Sequence, residues 1–116
     1  MSQKLALLRR KAFITQSFRC FYCNTLMWET DSTDFISKYN TPPYLTQKLK
    51  CTAEHLYPKN EGGRDVANNI VAACFFCNTT RHKAKKPLEP NLYFIRVQSR
   101  LAQGHWLQIP SNLRQN

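Results

Sequence analysis

Two Cys-x-x-Cys pairs, Cys20-Phe-Tyr-Cys23 and Cys74-Phe-Phe-Cys77, constrain this chain more than anything else in it. Two residues between paired cysteines let both thiolates face one ion, and two such knuckles complete a tetrahedron around Zn²⁺. A site closed by four cysteines leaves no position for substrate, so its expected role is structural. In small domains such a site contributes roughly 10–16 kcal/mol of apparent folding free energy. The competing reading is a redox Cys-x-x-Cys or four unrelated buried thiols; a redox motif usually occurs once, and the duplication favours metal. Five cysteines is an odd total, which argues against a disulfide framework. The fifth, Cys51, reads as a small strand residue. The long span from Cys23 to Cys74 requires a substantial folded insert between the knuckles.

Charge narrows the partner. Seventeen Lys and Arg against seven Asp and Glu give a net charge of +10 on 116 residues. Such an excess on a small surface favours a polyanion, nucleic acid first. Residues 1–19 carry Lys4, Arg9, Arg10, Lys11 and Arg19 with no acid, and residues 81–100 carry Arg81, Lys83, Lys85, Lys86, Arg96 and Arg100 against Glu89 alone. Solvated helix faces are the plainer account of the same charges. A hydrophobic share of 42% supports one core rather than two. The longest apolar run, Ile70 to Cys77, is far short of the ~20 residues of a membrane span. Leu5-Ala-Leu-Leu8 is interrupted at once by Arg9-Arg10-Lys11, unlike a secretory leader. The expectation is a soluble, cytoplasmic protein with no membrane partner.

Periodicity predicts a helix over 3–15 through Leu5, Leu8 and Ala12, and a short strand at Leu26-Met-Trp28. Asp31 to Asp34 opens a helix over Phe35 to Tyr39 that Thr41-Pro-Pro43 ends. Lys48 to Leu56 reads as a strand, Pro58 to Asp65 with Gly62-Gly63 as a loop, and Asn69 to Ala73 as a second strand. The second knuckle leads into a helix through about Lys86, broken by Pro87 and Pro90. A last helix runs from Asn91 to Gln103, with Gly104 as its C-cap. The fold class is α+β.

Chemistry concentrates in Glu54-His-Leu-Tyr-Pro-Lys-Asn-Glu-Gly-Gly63 and in Asn69-Ile-Val-Ala-Ala-Cys-Phe-Phe-Cys-Asn-Thr-Thr-Arg81. A strand ending in an acid and a histidine, a glycine-bearing loop, a strand opened by Asn69 and a helix opened by Asn78 form a ββα unit tied down by zinc. Carboxylate and amide oxygens are hard ligands that suit Mg²⁺ or Mn²⁺. A histidine with its ordinary pKa near ~6.5 is a base available at neutral pH. Beside a polyanion-binding surface, this set points to metal-assisted phosphodiester hydrolysis.

From Cys20 to about Lys83 the chain resembles an HNH endonuclease of the ββα-metal superfamily in its four-cysteine, zinc-stapled form. The pattern is CxxC, then EHLYPxxxGG, then NIVAACxxCNxxR. The resemblance implies one HNH domain over 1–116: a basic N-terminal helix at 1–19, the stapled core at 20–86, and a C-terminal helix and tail at 90–116. Its ends match nothing in the family. It implies His55 as the general base that deprotonates water and Glu54 as a catalytic metal ligand. Asn69, which directly precedes the Ile-Val strand as the family asparagine does, becomes the residue that bridges the loop and holds the histidine. Asn78 becomes the second metal ligand. Glu54 is a methylene longer than the usual Asp, and Asn78 stands where His is common, making an H-N-N variant. His82, four residues on and on the same helix face, is a compensating ligand that would favour softer ions.

The implied activity is cleavage of DNA, with RNA also open, to 5′-phosphate and 3′-hydroxyl products. Arg81 is expected to face phosphate, and Arg9, Arg10, Lys11, Lys83, Lys85 and Lys86 to hold the nucleic-acid backbone. His105, without such neighbours, reads as packing or surface. The aromatic residues inside the knuckles read as packing around zinc. A homodimer or an accessory protein is a further possible partner. The alternative function is a zinc-stapled nucleic-acid-binding module without catalysis. A redox or zinc-handling protein accounts for the cysteines but not for the charge or the histidine.

Overall fold

Cys51–His55 (β1) and Ile70–Cys74 (β2) pair antiparallel, with Cys51 opposite Cys74, Ala53 opposite Ala72 and His55 opposite Ile70. This register stacks the small residues Ala72, Ala73 and Cys74 into the core, where all three are fully buried. The same register turns Glu54 inward and brings His55 to the open end of the hairpin. The computed structural model describes residues 2–114, and its element order is helices and one two-stranded sheet, an α+β arrangement.

Helix α1 spans Gln3–Thr15, N-capped by Ser2, whose hydroxyl accepts from the Leu5 N–H. It lies against both strands. Gln16, just past its end, donates its carboxamide to the Ala72 carbonyl at 2.8 Å and accepts the Ala72 N–H at 2.9 Å. Helix α2 covers Thr33–Tyr39 and α3 covers Pro43–Lys48. Helix α4, Phe75–His82, follows β2 without a loop, and α5 is Pro90–Ala102.

Five expectations for the elements need correction, each for a local reason. Leu26 to Trp28 makes only isolated bridges, to Arg19 and Lys50, rather than a strand. The strand expected from Lys48 begins at Cys51, because the preceding residues form α3. Pro42 and Pro43 start that helix instead of ending the one before it: Pro43 has no N–H to lose at a first turn, and α2 is closed by Asn40 in a left-handed conformation (φ 53°). Helix α4 stops at His82 rather than near Lys86, since the Arg81 guanidinium holds the Leu88 carbonyl and turns the chain back before Pro87. Pro90, likewise, opens α5 at its first turn, with Glu89 as the cap. Gly104 (φ 74°) ends α5 as expected.

One core cluster surrounds the four knuckle cysteines, with Tyr22, Met27, Cys51, Ala72, Tyr93 and Val97. A second joins Phe35, Leu45, Leu49 and Leu113. Tyr93 packs edge-on against Tyr22 at 4.8 Å, and its hydroxyl donates to the Cys77 carbonyl. No helix among the described residues is long and apolar enough to cross a membrane.

The 56–69 connection is pinned at Gly63. A Cβ there would sit 1.8 Å from the Tyr57 carbonyl oxygen, and the Gly63 N–H donates to the Pro58 carbonyl. Backbone cannot yield as a side chain would. Gly63→Ala is therefore expected to cost about 1–3 kcal/mol, read as a lower melting temperature. An unchanged melt would show that the loop is not held this way.

Candidate active site

The four knuckle sulfurs lie within 4.8 Å of one another and are all buried. Sulfurs placed about 2.3 Å from a tetrahedral ion stand roughly 3.8 Å apart, and Cys23 Sγ and Cys74 Sγ are 3.9 Å apart. Backbone N–H groups of Tyr22 and Cys74 donate to Cys20 Sγ, and that of Cys77 to Cys74 Sγ. Such donors favour thiolate, and α4 starts on one of these sulfurs. The cluster is built to hold zinc. Hydrogen bonding with Cys20 first, then with the other sulfurs, pushes the Cys74 and Cys77 thiols well above the ordinary range and lowers that of Cys23. Cys51 lies apart from the cluster, a buried thiol pushed up to about 12 by desolvation.

Glu54 points from β1 into the interior, 1% exposed. Its Oε2 accepts from the Tyr22 hydroxyl at 2.8 Å and from Arg81 Nη1 at 2.9 Å, and its Oε1 stands 2.8 Å from His82 Nε2. Burial, then the Glu54 charge, raises the Tyr22 hydroxyl far above its usual range, so it stays a donor. Removing either partner of a buried charge pair typically costs about 3–5 kcal/mol, which ties this carboxylate firmly to the fold. The zinc frame thus reaches the site directly: Tyr22 lies between two zinc-binding cysteines and grips Glu54. Tyr22→Phe is expected to cost about 1.5–3 kcal/mol of stability, the worth of a hydrogen bond to a charged group, at unchanged zinc content. A thermal melt beside a zinc assay checks it; an unaltered melt would count against the contact.

Arg81 departs from its expected place. It is not on the surface facing phosphate but 3% exposed. Its five N–H groups make five bonds, to Glu54, to the carbonyls of His55 and Leu56, and twice to that of Leu88. No donor is left over for a phosphate. Arg9 and Arg10 both pair with Glu29, at 3.3 and 3.0 Å, so part of the basic N-terminal helix is internally compensated. Lys11, Lys83, Lys85 and Lys86 are exposed.

A cleft of about 270 Å³ is lined by Glu54, His55, Lys59, Asn78, His82 and Lys85, among others. Asn78 donates its amide nitrogen to Thr52 Oγ1 and the Ala53 carbonyl, which leaves its Oδ1 as the acceptor end. His82 comes to Glu54 because it lies one turn beyond Asn78 on α4. Two ligands about 2.1 Å from an octahedral ion and at right angles are about 3 Å apart, close to the Glu54–His82 spacing. Glu54 Oε1 and His82 Nε2 already meet each other at 2.8 Å, and Asn78 turns its amide oxygen away from the groups its nitrogen holds. The His82 Nε2 proton would have to leave on binding.

Asn69 Oδ1 accepts the Tyr57 N–H at 2.8 Å, and its Nδ2 donates to the carbonyls of Tyr57 and Arg64. It clasps both ends of the loop. His55 Nε2 lies 2.7 Å from Asp65 Oδ1, a partner that sequence reasoning missed. A loop acid ten residues away carries no spacing signal, and only the turn at Gly62-Gly63 brings it back. Tyr22 packs around the cysteines as expected, and its hydroxyl also donates to Glu54, a contact that carries no signal in the sequence.

Residues 45–84 match the family model of HNH endonuclease. The match runs from α3 through β1, the loop and β2 to just past α4. It contains Glu54, His55, Asn78 and His82 of the cleft, though not Lys85 or Pro87, and indicates nuclease-type activity in general, with nucleic acid as substrate. No curated protein and no solved structure matches the chain.

Proposed function

We propose that the HNH segment at 45–84 makes this chain a divalent-metal-dependent endonuclease acting on DNA. The observation that carries the reading is the convergence of Glu54, His55, Asn78 and His82 on one cleft with lysines at its rim. Neutral His55 takes a proton from water at its free ring nitrogen, and the water attacks phosphorus in line. Glu54, Asn78 and His82 would hold a divalent cation, and Tyr22 and Arg81 fix the orientation of the Glu54 carboxylate through its Oε2. Such an ion, when bound, would supply stabilisation of the charge that develops on the phosphate and the leaving oxygen. Asn69 keeps the loop closed around His55. Arg81 acts here as a buried brace rather than as a phosphate ligand. Lys59 and Lys85 bind backbone phosphates, with Lys11, Lys83 and Lys86 extending the contact, so affinity falls steeply with salt.

The test is conversion of supercoiled plasmid by purified protein in Mg²⁺, Mn²⁺ or EDTA. Nicked or linear product only with metal supports the reading. Zinc-loaded protein that shifts DNA on a gel but cuts with neither ion would sink it in favour of a binding module. That second reading draws on the fact that both oxygens of Glu54 already have protein partners.

A further inference from the structure

We infer that Asp65 is a positioning residue for His55: set opposite the imidazole by Asn69, its carboxylate holds Nε2 and turns Nδ1 toward the cleft. The inference rests on the reading of His55 as the base. A carboxylate only accepts hydrogen bonds, so at 2.7 Å from Asp65 Oδ1 it is Nε2 that carries the proton. In the neutral ring the lone pair is then on Nδ1, which has no hydrogen-bond partner among the described residues. A histidine ring has a broad, roughly two-fold torsion about its last bond, and it has two neutral tautomers. One carboxylate at Nε2 resolves both degeneracies.

Asp65 is in turn fixed in place. The carbonyl of its neighbour Arg64 accepts from Asn69, whose other end clasps Tyr57, and Lys59 Nζ approaches Asp65 Oδ2 at 3.6 Å. The bond from His55, with Lys59 nearby, holds the Asp65 carboxyl below its usual range, so it remains an acceptor at neutral pH. Asp65 does not line the cleft, whereas His55 does. It acts from behind the ring, and Asn69 acts on the histidine through it.

The experiment uses the full zinc-loaded chain as wild type, His55→Ala, Asp65→Ala and Asp65→Asn, with plasmid substrate in Mn²⁺. Asp65→Ala is expected to lower kcat about 10–100-fold, the scale of lost histidine-orienting partners, with KM and zinc content unchanged. Asp65→Asn, which keeps an accepting oxygen, should recover part of that loss. Proton NMR should show a slowly exchanging imidazole N–H signal in wild type that is gone in both His55→Ala and Asp65→Ala. Wild-type kcat in Asp65→Ala, or a loss confined to KM, would overturn the inference while leaving the nuclease reading intact. Loss of zinc in Asp65→Ala without rescue by Asp65→Asn would reduce Asp65 to a structural residue. No cutting by wild type would remove the nuclease reading and this inference together.

Discussion

His55→Ala should lower metal-dependent cleavage by about 10²–10⁴-fold, the range that a positioned general base contributes, while zinc content and melting temperature stay close to wild type. The fold gives this variant little reason to collapse. His55 ends β1 with its side chain at the cleft, and its one side-chain hydrogen bond goes to a partly exposed carboxylate. The Arg81 brace uses the His55 carbonyl, which alanine retains. The comparison is rate of supercoiled plasmid loss for both proteins at equal zinc occupancy. Equal rates would remove His55 from the mechanism, and loss of zinc in the variant would show that the histidine serves the fold.

Stripping zinc has the larger consequence for structure. The knuckle sulfurs anchor residue 20 to residue 74, and Tyr22, Tyr93, Met27 and Val97 pack around them. Without a cation, four sulfurs within 4.8 Å become buried thiols competing for hydrogen bonds. Against the roughly 10–16 kcal/mol that structural zinc supplies in comparable small sites, typical net stabilities of about 5–15 kcal/mol do not survive its removal. A strong chelator is expected to abolish the cooperative melt and the near-ultraviolet circular dichroism, and added Zn²⁺ to restore both. Metal analysis should find one zinc per chain before treatment. A chelated protein that still melts cooperatively would show that the cysteines are ordinary core residues.

The sequence made some of this legible for identifiable reasons. Cysteine spacing is a covalent ruler, so two knuckles separated by a long insert predict a shared cluster before any packing is known. The Glu54-His55, Asn69 and Asn78 register behaves in the same way, because a strand, a loop and a helix start have few ways to be joined. Arg81 was misplaced because an arginine at the end of a basic helix looks like a surface charge. Only the packed structure shows the Glu54 carboxylate and three carbonyls closing around it. Helix α3 was missed because two prolines read as a stop, whereas the second of them is a start. Asp65 lay hidden because hydrogen bonds across a folded loop leave no period in the chain.

The side-chain bonds of Gln16, Asn78 and Arg81 have a joint consequence. On an antiparallel ladder alternate residues turn their N–H and C=O groups away from the partner strand, and an isolated two-stranded ribbon offers two such unpaired margins to any passing strand. Here Gln16 takes both outward groups of Ala72 on one margin. On the other, Asn78 takes the carbonyl of Ala53, and Arg81 those of His55 and Leu56. Side chains thus cover much of both margins, joined by backbone at two points, where the Phe21 N–H also reaches the Ala72 carbonyl and the Cys51 N–H donates to the Trp28 carbonyl. Removing the Gln16 carboxamide would bare both outward groups of Ala72, so Gln16→Ala is expected to aggregate faster than wild type by light scattering, and equal scattering would show that this margin needs no cap.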